Sequence, residues 1–126
     1  LLESRGLGDV YKRQVYEQGD WTKDTVFAVF EMNIKNEEAY LTAYKTMTDK
    51  MVDKNQISGA YGVEKVVAGT DFSHFAFIGA ADTASLMETL ALLDMKNPDF
   101  KEFQTAVRRN RSIVRRGIVN PVKAWE

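Results

Sequence analysis

The chain has 126 residues, 44% of them hydrophobic, and a formal net charge of −1. This size and composition predict one packed domain, and the near-neutral charge argues against general nucleic-acid binding, which needs an excess of basic side chains. With no cysteine and one histidine, the sequence excludes disulfides, thiolate nucleophiles and cysteine metal sites, and it argues against a conventional zinc site. No apolar run approaches the roughly 20 residues of a membrane span.

The first 14 residues, LLESRGLGDVYKRQ, differ from the rest of the chain. They have neither the periodicity of a helix nor that of a strand. Residues 4–14 resemble the translated end of a transposon adapter used in sequencing libraries, since DVYKRQ can be written GAT GTG TAT AAG AGA CAG. We expect residues 1–14 to be a non-native or disordered leader and residues 15–126 to be the domain; a native flexible arm is the alternative. We also expect a cytoplasmic protein, although a signal peptide can be missing along with the start of the gene.

The first strand is predicted over residues 24–34, DTVFAVFEMNI, because β-branched and aromatic residues dominate it. Alternation divides it into one apolar face and one mixed face. The apolar face, which we expect to pack under helices, comprises Val26, Ala28, Phe30, Met32 and Ile34. The other face, which we expect to meet something partly polar, comprises Phe27, Val29, Glu31 and Asn33.

A helix follows, with Asn36 as its N-cap and an end near Lys54. Residues 58–69 and the segment FSHFAFIGAA, which starts at Phe72, predict two strands that pair as a hairpin. In the third strand, alternation sets Phe72, His74, Ala76 and Ile78 against Ser73, Phe75 and Phe77.

The second helical region is predicted in two parts. Asp82 or Thr83 caps the first part, and Asn97 with Pro98 restarts the second. The buried stripe of the first part comprises Leu86, Met87, Leu90 and Leu93. The segment SIVRRGIVNPVKAW then predicts a last strand, in which Pro121 marks an edge or an end.

The resulting order, β-α-β-β-α-β, is that of the ferredoxin-like fold, in the α+β class, with a four-stranded antiparallel sheet and helices on one face. The other face of such a sheet is too apolar for bare solvent. We therefore expect a homodimer in which two sheets face one another as a dimeric barrel.

This order of elements over residues 24–125, with the stretch DFSHFAFIGAADTASLMETLALLDMKNPDFKEF, resembles the dimeric α+β barrel superfamily. That superfamily includes antibiotic-biosynthesis-type monooxygenases, stress-responsive barrel proteins and small cyclases. Its helix restart often has histidine where this chain has Asp99 or Phe100. Haem-degrading members place an axial histidine on the second helix, and residues 82–109 contain none, so we set that activity aside.

The resemblance implies an enzyme that needs no cofactor, a monooxygenase or a cyclase, acting on an apolar or aromatic molecule inside each half barrel. The alternative is a non-catalytic ligand-binding or assembly module that uses the same sheet face to dimerise. The location of the polar residues distinguishes the two alternatives. If His74, Glu31 and one arginine share one pocket, an enzyme is favoured. If an arginine neutralises Glu31 in a filled core, a binding or structural module is favoured.

Three polar residues on the predicted strands are the candidate catalytic groups. His74 is the only imidazole and titrates near neutral pH, although its place on an apolar face also suits a buried, hydrogen-bonded histidine. Glu31 and Asn33 interrupt an apolar strand, and burying a carboxylate there is costly unless a partner compensates for its charge. The partner of Glu31 is either a substrate or, through a salt bridge, Arg115 or Arg116.

The candidate substrate-binding residues lie on the first helix and near the C-terminus. Arg115 and Arg116 alternate in the last strand, so at most one of them points into the barrel, where it can clamp a substrate carboxylate. Tyr40 and Tyr44 lie one helical turn apart and belong either to the core or to a pocket. Trp125 is placed to cover the barrel mouth or to cross to the partner subunit.

Overall fold

The computed structural model describes residues 12–66 and 70–120, with side chains from residue 15 onward. Five strands and three helices form a single α+β unit. The strands are β1 (Lys12–Gln18), β2 (Val26–Ile34), β3 (Tyr61–Val66), β4 (His74–Ala80) and β5 (Arg111–Val119). The helices are α1 (Glu37–Asp53), α2 (Thr83–Ala91) and α3 (Pro98–Val107), and a 3-10 turn at Trp21–Lys23 precedes β2.

All strand pairs are antiparallel, in the order β1-β3-β4-β2-β5. The last four positions of this order are the ferredoxin-like arrangement, and β3 pairs with β4 as the sequence predicts. In the register of β2 and β5, Arg116 is opposite Phe30 and Arg115 is opposite Glu31. Because paired residues share a face of the sheet, this register places the two arginines on opposite faces.

Local capping fixes all three helices where the sequence predicts them. The Asn36 side chain accepts a hydrogen bond from the backbone of Ala39, and the Asp82 side chain accepts one from Ser85. Asn97 caps α3, with Pro98 at its first position. Each cap satisfies a backbone N–H that has no partner within its helix.

The apolar face of β2 packs under the helices, as predicted. Val26, Ala28 and Met32 belong to the core cluster that the helices cover. Phe27 and Val29 belong to a second cluster on the opposite face, together with Phe75 and Phe77. Phe27, Val29 and Phe75 are each at most 1% exposed in the single chain. Burying these side chains therefore does not by itself require a second copy, and the dimer stays a prediction.

Two side chains lie elsewhere than predicted. Phe72 precedes β4 and packs with Phe75 and Phe77 rather than on the face of His74, because strand alternation does not extend into the turn before the strand. Met87, predicted in the buried stripe of α2, is 41% exposed. A nine-residue helix has a narrow contact face, which Leu86 and Thr89 occupy.

The strand β1 was not predicted from the sequence. It adds a fifth strand beside β3, with Lys12 opposite Val66 and Gln18 opposite Tyr61. It starts three residues inside the range 1–14 that the sequence analysis assigned to a leader; residues 1–11 lie outside the described part. In the described ranges, no helix is long and apolar enough to cross a membrane.

Candidate functional site

A cavity of about 450 Å³ lies between the helices and the inner face of the sheet. Its volume falls within the range of small-molecule pockets. Apolar side chains from β2, β4, α1 and the segment around α2 form most of its wall. They include Phe30, Met32, Met47, Ala76, Ile78 and Leu93. Such a wall favours an apolar or aromatic ligand, because its binding removes apolar surface from water.

An aromatic cluster forms one side of the cavity. The ring centroids of Tyr40 and Tyr44 are 6.0 Å apart and nearly parallel, and that of Phe103 lies 5.7 Å from Tyr40 in an edge-to-face arrangement. The Tyr44 hydroxyl donates to the carbonyl oxygen of Gly62 at 3.2 Å. Burial raises the pKa of Tyr44 well above its usual value, so this phenol stays protonated and anchors the wall.

The polar end of the cavity contains two arginines and an amide. Arg111 donates to the side-chain oxygen of Gln104 and lies over the ring of Phe103, while Arg116, five residues further along β5, also lines the cavity. Burial lowers the pKa of Arg111, and the nearby Arg116 charge lowers it further. In the described ranges, no carboxylate forms an ion pair with either arginine.

Tyr40 joins the aromatic wall to this polar end. Its hydroxyl lies close to the Arg111 guanidinium, and burial raises the pKa of Tyr40 to about 12. A guanidinium group has no acceptor atom, so Arg111 does not take up the Tyr40 hydrogen, which is available to a ligand in the cavity.

Arg115 lies on the other face of the sheet. Its Nε donates to the Glu31 carboxylate at 2.7 Å, and its guanidinium also pairs with Asp71. These two carboxylates raise the pKa of Arg115. Of the two alternatives that the sequence left open for Glu31, a salt bridge or a substrate contact, the geometry gives the salt bridge.

Asn33 lies near the same ion pair, where its side-chain amide donates to the backbone oxygen of Asp71 at 3.3 Å. Neither Glu31 nor Asn33 lines the cavity. The sheet separates this pair from Tyr40, Tyr44 and Arg116.

His74 is buried on the helix-covered face but does not line the cavity. Its Nδ1 lies 2.7 Å from the Ser73 hydroxyl, and its Nε2 lies 3.4 Å from a carboxylate oxygen of Glu37 in the first turn of α1. Burial lowers the pKa of His74, against the opposing effect of Glu37. These contacts fit the hydrogen-bonded, neutral histidine that the sequence analysis set beside the catalytic one.

The predicted site residues thus divide into two groups. The cavity brings together Tyr40, Tyr44 and Arg116, whereas His74 and the pair Glu31 and Asn33 lie elsewhere. Trp125 falls outside the described residues. Sequence reasoning missed Arg111 and Gln104 as cavity residues. Alternation alone would have placed Arg111, five positions before Arg116, on the opposite face, and it is the irregularity in the strand between them that brings both to the same face.

Within residues 12–66 and 70–120, no group of three acidic or histidine side chains is arranged to hold a metal ion. The polar groups that line the cavity are arginine cations, phenols and one amide, beside a mostly apolar wall.

These features define a small α+β protein with a ferredoxin-like sheet and a ligand-sized cavity under its helices. No family model matches the chain, and no curated protein is significantly similar to it in sequence. Among solved structures, that of a major regulator of staphylococcal pathogenesis superposes with a TM-score of 0.55 and 12% identity, over 90% of this chain and 69% of that one. SnoaB, a cofactor-independent oxygenase from Streptomyces nogalater, superposes in a mutant form with a TM-score of 0.51 and 15% identity, over 75% of this chain and 89% of its own. At these identities the likeness shows a shared fold.

Proposed function

We propose that this protein binds an apolar or aromatic small molecule in the cavity between its helices and its sheet, and that it acts on this molecule as a cofactor-independent monooxygenase or cyclase. The observation that carries the proposal is the cavity itself: about 450 Å³, mostly apolar, with a few polar groups in its wall. This combination is typical of small-molecule sites.

The fold likeness to an oxygenase supports the reaction class only as analogy, because one fold hosts many functions. The chemistry is assigned to the cavity residues. Oxygenation and cyclisation of aromatic compounds both pass through electron-rich oxyanions, and preorganised cations and hydrogen-bond donors stabilise such charge in an enclosed site. Arg111, Arg116 and Tyr40 are groups of this kind. In this proposal His74, Glu31 and Asn33 have structural roles, because none of them lines the cavity.

A non-catalytic ligand-binding module is the second candidate. The observation that favours it is that Glu31 is held by Arg115 and His74 by Ser73 and Glu37, all outside the cavity. The regulator that shares the fold is a further analogy of the same weight as the oxygenase.

Binding is tested by native mass spectrometry of the full chain, purified without added ligand and then mixed with 2-naphthamide. A bound organic mass, or a stoichiometric complex with the probe, supports the cavity proposal. The same spectrum gives the number of chains, and a dimer would support the facing-sheet hypothesis. A protein that carries no organic mass and forms no complex with 2-naphthamide counts against ligand binding.

Catalysis is tested separately with 1-naphthol and isotope-labelled dioxygen. Oxygenation to 1,4-naphthoquinone places one atom of dioxygen in the product and one in water, which takes two hydrogens from the naphthol. Label in the quinone, formed faster than without protein, favours the enzyme. Binding of aromatic probes without turnover of this or related phenols favours the non-catalytic module.

A further inference from the structure

The polar end of the cavity has more positive charge than an apolar ligand needs. Arg111 is partly buried, and the exposed Arg116 also lines the cavity, with its charge close enough to lower the pKa of Arg111. Removing a cation from water is costly unless an anion or several hydrogen bonds compensate for it. Two cations at the end of an apolar cavity therefore create a positive potential that a bound anion would relieve.

The neighbours of Arg111 offer it polar and aromatic contacts but no compensating negative charge. Gln104 accepts a hydrogen bond from Arg111 and the Tyr40 hydroxyl lies nearby, and both of these groups are neutral. The face of the Phe103 ring lies 5.7 Å away. In the part of the chain that the structure describes, neither Arg111 nor Arg116 has a carboxylate partner, whereas the adjacent Arg115 has two.

Tyr40 adds a third donor at the same place. Arg111 has no acceptor atom for the Tyr40 proton, and burial raises the pKa of this phenol to about 12, so its O–H can donate to a ligand. Two guanidinium groups and one phenol make a donor set that matches the planar, two-oxygen shape of a carboxylate.

Resting on the proposed function, we propose that the ligand of this cavity is an aromatic carboxylate. Its rings lie among the apolar side chains, and its carboxylate is bound by Arg111 and Arg116 with a hydrogen bond from Tyr40. Arg116 and Arg111 are then the residues that determine specificity for an anion over a neutral ligand of the same shape.

The test compares 2-naphthoic acid, which is ionised at neutral pH, with the neutral 2-naphthamide, using isothermal titration calorimetry on the full chain. The native protein is expected to bind the acid at least about tenfold more tightly than the amide, as two charge-assisted contacts allow. Arg116→Gln and Arg111→Gln should each remove most of this preference, because each lowers the affinity for the acid more than the affinity for the amide.

Arg109→Gln is the matched control, because it removes the same charge from an exposed position in the loop before β5. It should leave the preference unchanged. Circular dichroism confirms the fold of each variant, and Arg116→Lys, which keeps the charge, should retain part of the preference if Arg116→Gln unfolds.

The outcomes separate this inference from the proposed function. Equal affinity for acid and amide would overturn the carboxylate assignment while leaving the cavity as a ligand site. An equal loss of the acid preference in Arg109→Gln and Arg116→Gln would also overturn it, because the preference would then come from the overall positive charge of the protein and not from a contact in the cavity. Failure of both probes to bind would overturn the proposed ligand site together with this inference.

Discussion

Arg115 and Arg116 are adjacent in the chain and lie on opposite faces of the sheet: Arg115 pairs with Glu31 at 2.7 Å, and Arg116 lines the cavity. Their substitutions should therefore separate stability from binding. Arg115→Gln removes an ion-pair partner of a buried carboxylate and should lower the melting temperature without changing the acid-to-amide preference. Arg116→Gln should weaken the acid-to-amide preference and leave the melting temperature unchanged. Thermal denaturation and calorimetry on the same two variants check this, and parallel effects would contradict the opposite-face arrangement.

Tyr44 holds the aromatic wall against the sheet through its hydroxyl. Tyr44→Phe removes the hydrogen bond to the Gly62 carbonyl and should cost about 1 kcal/mol of unfolding free energy, the usual value for one net hydrogen bond. Urea denaturation measures this as a lower midpoint with an unchanged slope. An unchanged midpoint would mean that the hydroxyl is equally well solvated in the unfolded chain and that the contact adds no stability.

Glycine is required at position 59 for close packing. A Cβ there would overlap the backbone oxygen of Gly79 and lie 2.7 Å from an Asp24 carboxylate oxygen. Gly59→Ala should therefore cost about 1 to 3 kcal/mol through overpacking. Gly117→Ala is the control, because a Cβ at that position meets nothing within 4 Å and should change stability by less than about 0.5 kcal/mol. Equal stabilities of the two variants would contradict the packing around Asp24.

His74 should make the fold sensitive to mild acid. Burial lowers the pKa of His74 below the ordinary 6.5. Below pH 6.5 the unfolded chain therefore binds a proton at this histidine more readily than the folded chain does. Stability from this group is complete above pH 6.5 and declines as the pH falls toward the lower folded pKa. Urea denaturation between about pH 5 and 8 should show a steeper loss for the native protein than for His74→Gln. Parallel curves for the two proteins would show that the folded chain accepts the proton as readily as the unfolded one.

The sequence predicted what short-range rules control. The limits of α1, its Asn36 cap and the two faces of β2 follow from residue type and periodicity, and the same alternation separated Arg115 from Arg116. These features depend on neighbours within one element, so the sequence contains the information directly.

The sequence failed where distant segments meet. Alternation gave the face of Glu31 but not the location of the cavity, which depends on how α1 and α3 lie over the sheet. His74 shares the helix-covered face and still lies outside the cavity, because Ser73 and the start of α1 enclose it. The strand β1 has no clear pattern of its own and is defined by its pairing with β3.

The five methionines offer the most direct test of the central claim, that a ligand binds between the helices and the sheet. Met32, Met47 and Met95 line the cavity, whereas Met51 and Met87 do not. In methyl spectra of protein labelled with carbon-13 methionine, addition of 2-naphthoic acid should shift the signals of Met32, Met47 and Met95 and leave Met51 and Met87 in place. Shifts confined to the exposed Met87, or no shifts at saturating probe, would contradict the cavity as the ligand site.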